Sequence, residues 1–211
     1  MGPRQRVGGR SRERPSFGRR ALTRLVCVAQ NDVAHPGEDE AFYEEYLAPL
    51  ETRMLRTVWR VVHDEEMARD ALQDALVVVW RRRERVRSHP NPEALILRIA
   101  IHAALDAVRK ALRRRAPVEL PAALTASPSP GPTAALDSRE LREQVLAAVG
   151  RLPAKQATAV LMRVLEERPY RAIAEALECG EVTARIHVMR GRARLGRLLA
   201  HLAPSRRGGE K

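Results

Sequence analysis

Three sets of polar residues at helical spacing carry whatever chemistry this chain does, and that chemistry is binding. Glu66, Asp70, Gln73 and Asp74 are spaced so that they share one face of a helix. Such a face offers carboxylates to a basic partner; taken alone it also suits an ordinary solvated surface. Arg98, His102, Asp106, Arg109 and Arg113 follow steps of four and three along another helix, with Lys110 beside them. That line can track a phosphate backbone or reach an exposed base, and Asp106 can hold Arg109 or Lys110 by charge-assisted bonds. The third set is Thr183, Arg185, His187 and Arg190, followed by Arg192, Arg194 and Arg197. Arginine suits bidentate reading of guanine in a major groove, and its neighbours can contact phosphates. Tyr170 and Glu181 stand at the starts of the short helix and the long helix that would present this set.

A histidine beside an aspartate invites acid–base chemistry, but no nucleophile or glycine-rich loop accompanies His102 and Asp106. No catalytic residue, and hence no enzyme, is expected. The two cysteines, Cys27 and Cys179, are far apart, with no C-x-x-C spacing and no histidine cluster. This fits a reducing cytoplasm and gives no metal site or cofactor. No apolar run approaches the ~18–20 residues of a membrane span, so no membrane insertion is expected.

Charge is uneven. The chain carries a net +12 over 211 residues, which favours a polyanionic partner. Residues 38–80, however, hold eleven acids and four bases, and residues 81–115 hold eleven bases and three acids. A protein that binds nucleic acid alone has little use for the acidic block, so a second, basic partner is expected.

The elements that must position these residues are helical. Aromatics are 3% of the chain, while Leu, Ala, Arg and Glu dominate. Residues 1–37 form a basic extension with eight arginines before residue 36, expected to be disordered. A start set upstream of the true one, or an arm adding non-specific DNA affinity, would look the same. Residues 38–115 form a first module. A helix over 41–63 puts Phe42, Tyr46, Leu50, Met54, Val58 and Val61 on one stripe. Asp64 caps the next helix, whose apolar face is Met67, Ala68, Ala71, Leu72, Ala75, Leu76, Val79 and Trp80. After the loop at 88–92, a helix over 93–115 buries Leu95, Ile96, Ile99, Ala103, Val108 and Leu112.

Residues 116–136 are a proline-rich flexible linker. Residues 137–203 form a second module, opened by Asp137 with Glu140 as a capping box. A helix there stops at Gly150, and another starts at Pro153. Helices over 170–177 and 181–202 then make a helix-turn-helix that buries Ile173, Ala174 and Leu177, and Gly180 supplies the unusual turn dihedrals. Residues 204–211 are a disordered tail. The fold class is all-α, with two small helical domains.

Together these residues resemble a bacterial RNA polymerase sigma factor of the extracytoplasmic-function type, in the sigma-70 family. Residues 68–80 (ARDALQDALVVVW) resemble the region 2 pattern through Asp70, Gln73, Asp74 and Trp80. Residues 93–110 resemble the helix that engages the melted −10 element, with Arg98, Ile99, Ala100, Asp106 and Arg109 in matching places. Residues 151–177 resemble region 4, and Arg185, His187 and Arg190 fall on its −35-reading helix. The chain departs from the pattern where Leu95 and Leu97 replace aromatics, His102 replaces Asn, and the turn before the reading helix is about two residues short.

The resemblance implies a cytoplasmic transcription initiation factor whose partners are RNA polymerase core enzyme and promoter DNA, with an anti-sigma factor as a further partner in many members. Glu66, Asp70, Gln73 and Asp74 would meet polymerase. Arg98, His102, Asp106, Arg109, Lys110 and Arg113 would meet the −10 element. Tyr170, Glu181, Thr183, Arg185, His187, Arg190 and Arg194 would meet the −35 element. Two rivals stand beside it: a free-standing helix-turn-helix regulator, which needs a dimer interface, and a basic structural nucleic-acid-binding protein, which has no need of the acidic face.

Overall fold

The computed structural model describes residues 36–115 and 134–202. All but the last two residues of the basic extension, most of the linker and the tail expected from the sequence lie outside the described residues, and Pro36 and Gly37 are helical rather than disordered. The first elements are α1 (Pro36–Phe42), a π-helical turn (Tyr43–Leu47) and α2 (Glu51–Val62). The expected single helix over 41–63 is therefore divided. Pro49 has no amide hydrogen to donate, and its ring crowds the preceding turn. The wider π turn also shifts the inward face by one residue. Tyr43 and Leu47 join Phe42, Met54, Val58 and Val61 in the core, while Tyr46 and Leu50 stay half-exposed.

Helix α3 (Glu65–Arg81) starts as expected at Asp64, whose carboxylate accepts the Met67 amide at 2.8 Å. Its buried residues are those of the expected face, with Met67 only half-covered, and Trp80 meets the Phe42 ring edge-on at 5.6 Å. The basic cluster after it contains a short helix not foreseen from the sequence, α4 (Arg83–Arg87), which buries Val86. Helix α5 (Pro92–Arg115) is capped by Asn91, whose side-chain oxygen accepts the Ala94 amide at 3.0 Å.

The second module comprises α6 (Ala134–Gly150), α7 (Ala154–Val164), α8 (Tyr170–Leu177) and α9 (Glu181–Leu198), with a 3₁₀ turn at Ala200–Leu202. Helix α6 begins three residues inside the expected linker, so Asp137 lies within the helix and not at its start. Pro153 sits at the N-cap of α7, one place before the expected first helical position. In the helix-turn-helix the left-handed residue is Glu178, at φ 54°, and Gly180 is extended at φ −69° and ψ 154°. The expectation for Gly180 is thus corrected: Glu178 closes α8 as a left-handed C-cap, and glycine merely begins α9.

Helix α5 decides how the two modules meet. Leu95, Ile96, Leu97, Ile99, Ala100, Ile101, Ala104, Leu105 and Val108 are all buried, so the helix is covered nearly all round. It touches α2, α3 and α4 in its own module and α6, α7 and α8 in the other. The stripe expected from the sequence omits Leu97, Ile101 and Leu105, and overstates Ala103 and Leu112, which are half-exposed.

Helix α9 lies on α7 and α8. The approach is closest at Gly191, where an added Cβ would lie 2.5 Å from Val160 Cγ2 and 3.2 Å from the Gln156 carbonyl. Val160 is β-branched and stiff, so the helices would have to part. At Gly196 on the same helix nothing lies within 4 Å. Replacing Gly196 by alanine should therefore stabilise the protein by about 0.5–1 kcal/mol, the usual helical preference. Gly191→Ala should instead destabilise it, overpacking costing about 1–3 kcal/mol. Thermal unfolding of the two variants checks this; equal shifts of Tm would contradict the close approach.

Candidate functional site

A groove of about 1070 Å³ runs between α3 and α5. Asp70, Gln73 and Asp74 line one wall; Arg98, His102, Asp106, Lys110 and Arg113 line the other. Two of the three residue sets singled out in the sequence thus face each other. Glu66 is exposed on α3 but does not line the groove. Asp70, Gln73 and Asp74 are exposed, and among the described residues neither carboxylate forms an ion pair with the basic wall. Their charge remains available to a partner.

The basic wall is not all available. Arg98 Nη1 donates to the Ala176 carbonyl at 2.6 Å and lies 3.2 Å from a Glu178 carboxylate oxygen. Arg85 reaches the other oxygen of Glu178 at 2.5 Å. Burial pushes the Glu178 carboxyl up, but the bonds and charges of Arg85 and Arg98 outweigh it and hold the group below its ordinary range. Arg109 donates to the carbonyls of Gly150 and Leu152, both at 3.2 Å, while pairing with exposed Asp106 at 3.2 Å. Arg98 and Arg109, expected at the −10 element, therefore tie the second module to α5. Lys110 and Arg113 remain exposed.

Sequence reasoning missed the residues that complete this junction. Glu166, with 5% of its side chain exposed, sits in the loop between α7 and α8. It receives Arg53 Nε at 2.7 Å and the Thr57 hydroxyl. Arg53 also bonds Glu93 at 2.6 Å, and Arg168 bonds Glu93 as well. Arg60 donates to the Leu165 carbonyl at 2.6 Å. Near the other end, the Asn91 amide donates to Glu175 at 2.9 Å, and His89 Nε2 meets the Glu175 carbonyl at 3.2 Å. With His89 Nδ1 accepting the backbone N–H of Asn91 at 3.0 Å, Nε2 carries the proton. No local signal reveals these partners, which are up to 113 residues apart.

In the helix-turn-helix, Thr183, Arg185, Arg190 and Arg194 are exposed on α9. Arg185 is restrained: it pairs with Glu181 at 2.7 Å and lies over the Tyr170 ring at 4.8 Å, with Arg163 at 5.2 Å from the same ring. His187 turns partly inward. Burial, then Lys155 and Arg190, lower its pKa, and its Nδ1 is buried without a partner among the described residues. Cys179 is a half-buried free thiol, and Cys27 lies outside the described residues. No helix among the described residues is long and apolar enough to cross a membrane.

The pKa of His102, in the basic wall of the groove, is lowered. Burial lowers it first, and the charges of Arg98, Arg109 and Arg82 add to this against the opposing pull of Asp106. The folded group is thus more than half neutral where an ordinary histidine, at 6.5, is half-charged. The sign follows by linkage: as pH falls the unfolded chain takes up this proton first, so the stability contributed by neutral His102 is present above 6.5 and is lost as pH falls through the lowered folded value. An NMR titration should give a His102 midpoint below 6.5; one at or above it would place the ring in solvent.

Comparison with known proteins follows the same division. Residues 43–114 match the family model of sigma-70 region 2, and residues 142–195 match that of sigma-70, region 4. No curated protein matches the chain. Among solved structures, it resembles the sigma factor RpoE in complex with the anti-sigma factor NepR from Bartonella quintana. That likeness has 19% identity and a TM-score of 0.45, and covers 75% of this chain and 96% of that one. The two family regions stand in order and together take in more than half of the 211 residues. The chain belongs to the sigma-70 family, through its regions 2 and 4, and is a sigma factor that binds RNA polymerase core and directs it to promoters.

Proposed function

We propose that Asp70, Gln73 and Asp74, with Glu66 at the end of the same face, dock core polymerase. The observation that carries this is the exposed pair of carboxylates on α3, left without ion pairs among the described residues beside a wall of cations. His102, Asp106, Lys110 and Arg113 then face the melted −10 element, joined by Arg98 and Arg109 once these leave the second module. Tyr170, Glu181, Thr183, Arg185, His187, Arg190 and Arg194 serve the −35 element, with Arg185 steadied by Glu181 and Tyr170. The working domains are 38–115 and 137–203, with 116–136 as the tether. The factor catalyses no reaction itself and acts in the cytoplasm, beside polymerase and its DNA. An anti-sigma factor, such as the one bound to the Bartonella protein, is a further partner in this reading.

Reading both elements at once requires the modules to separate. Positions −10 and −35 lie about 25 base pairs apart, roughly 85 Å at ~3.4 Å per pair. A packed body of about 150 residues has a radius of gyration near ~15 Å. The bonds that must break are those of Arg98, Arg109 and Glu166, together with those of Arg60, Arg85, Arg168, His89 and Asn91, and the free energy of polymerase and DNA binding has to exceed them.

The docking assignment is tested by Asp70→Lys with Asp74→Lys. Capture of core polymerase should fall at least about tenfold, since reversal sets like charges against each other, with helical circular dichroism unchanged. Capture equal to wild type would move the docking surface elsewhere. Separation is tested by placing dyes at positions 66 and 194 in a chain with both native cysteines replaced by serine. Energy transfer should drop when core polymerase binds, and an unchanged signal would show that the packed arrangement persists in the holoenzyme.

A further inference from the structure

The outward face of α9 has an apolar centre that the arginine contacts do not explain. The helix buries Ala184, Val188 and Gly191. At about 100° per residue, the opposite direction is held by Val182, Ile186, Met189 and Ala193. Val182 and Met189, 71% and 61% exposed, are the two most exposed large apolar residues among those described. A lone exposed valine or methionine is unremarkable. These two lie seven residues apart on one face, with half-buried Ile186 between them.

Exposed cations flank this ridge on both sides: Arg185 and Arg192 on one, Arg190 and Arg194 with Thr183 on the other. Glu181 and the Tyr170 ring draw Arg185 towards its flank and away from the ridge. An apolar line between two cationic rows matches the cross-section of a DNA major groove. Phosphates form both rims, the floor is base edges, and the ~12 Å width admits a helix. Among base edges there, the group that favours an aliphatic side chain is the 5-methyl of thymine. A second copy of this face would set arginine against arginine, which disfavours self-association.

We propose that Val182 and Met189, with Ile186 between them, read thymine methyl groups in the promoter element bound by α9, while the flanking arginines hold the phosphates. This rests on the assignment of α9 to the −35 element and names the base feature that it senses.

The test uses the full chain and a duplex selected by it from a pool randomised at 12 positions. Each thymine of the selected duplex is replaced singly by uracil, which removes only the methyl group. Binding should weaken about fourfold at one or two positions, the scale of one lost methyl burial at each. Val182→Ser or Met189→Gln, both at exposed positions, should erase that thymine–uracil difference.

A duplex indifferent to every replacement, or a difference that survives both variants, would overturn the methyl assignment alone. Arg190→Ala and Arg194→Ala report on the underlying assignment, because both should lower affinity for all sequences and flatten its salt dependence. If neither does so, α9 is not the DNA-reading helix, and the proposal falls with it. If the ridge variants bind DNA like wild type but lose core polymerase or a regulatory protein, the ridge faces a protein and the proposal is likewise overturned.

Discussion

Everything in the described structure depends on the burial of α5. Its residues 94–105 are apolar on nearly every side, and a helix of that kind cannot be half-solvated without exposing several large side chains to water. Helices α2 and α3 cover part of the surface, and the second module covers much of the rest. Each fully buried leucine or isoleucine contributes about 1.5–3 kcal/mol by this burial. The packing of the modules therefore follows from completing one helix's core, and the polar bonds around its edge determine how they seat.

Those polar bonds act as specificity more than as adhesion. Glu166 is buried with Arg53 and Thr57, and a buried ion pair gains little net free energy over apolar residues because both partners lose water. Removing one partner is costly, since the other is left buried and unpaired. The cluster thus favours a single seating of the α7–α8 loop, and Arg98, Arg109, Asn91 and His89 repeat this logic along α5. Exposed pairs such as Arg185–Glu181 fall in a different class, worth little energy yet able to aim a side chain.

In the proposed reading, DNA binding and packing share residues on α5. A sigma factor has to hold its DNA-facing cations ready without letting them pair irreversibly within the chain. Arg98 and Arg109 are engaged by backbone carbonyls and by carboxylates that are half-exposed or exposed. Solvent screening keeps such bonds modest, and phosphate can compete for the same guanidinium groups. The acidic face of α3 stays apart from this exchange, with its carboxylates directed to solvent.

The sequence by itself determined the helices and their inward faces wherever the cause is local. Asp64 caps α3, the spacing of Ala68 to Trp80 sets its buried stripe, and helix breakers bound α8 and α9 close to where they are found. It also placed Asp70, Asp74, Arg98 and His102 on shared faces, because a period of 3.6 residues needs no tertiary knowledge. It misjudged the π turn, whose one-residue shift comes from packing around Pro49, and the left-handed Glu178, whose strain is borne by the closure of α8. It was silent on Leu97, Ile101 and Leu105, because an amphipathic stripe was sought on a helix that is covered nearly all round. Only the tertiary structure could pair Arg53 with Glu166 or Arg98 with Glu178, since contacts between residues 80 to 113 positions apart leave no periodic trace in the chain. Which cations stay exposed and which hold the modules together was decided there, by the burial demanded by α5.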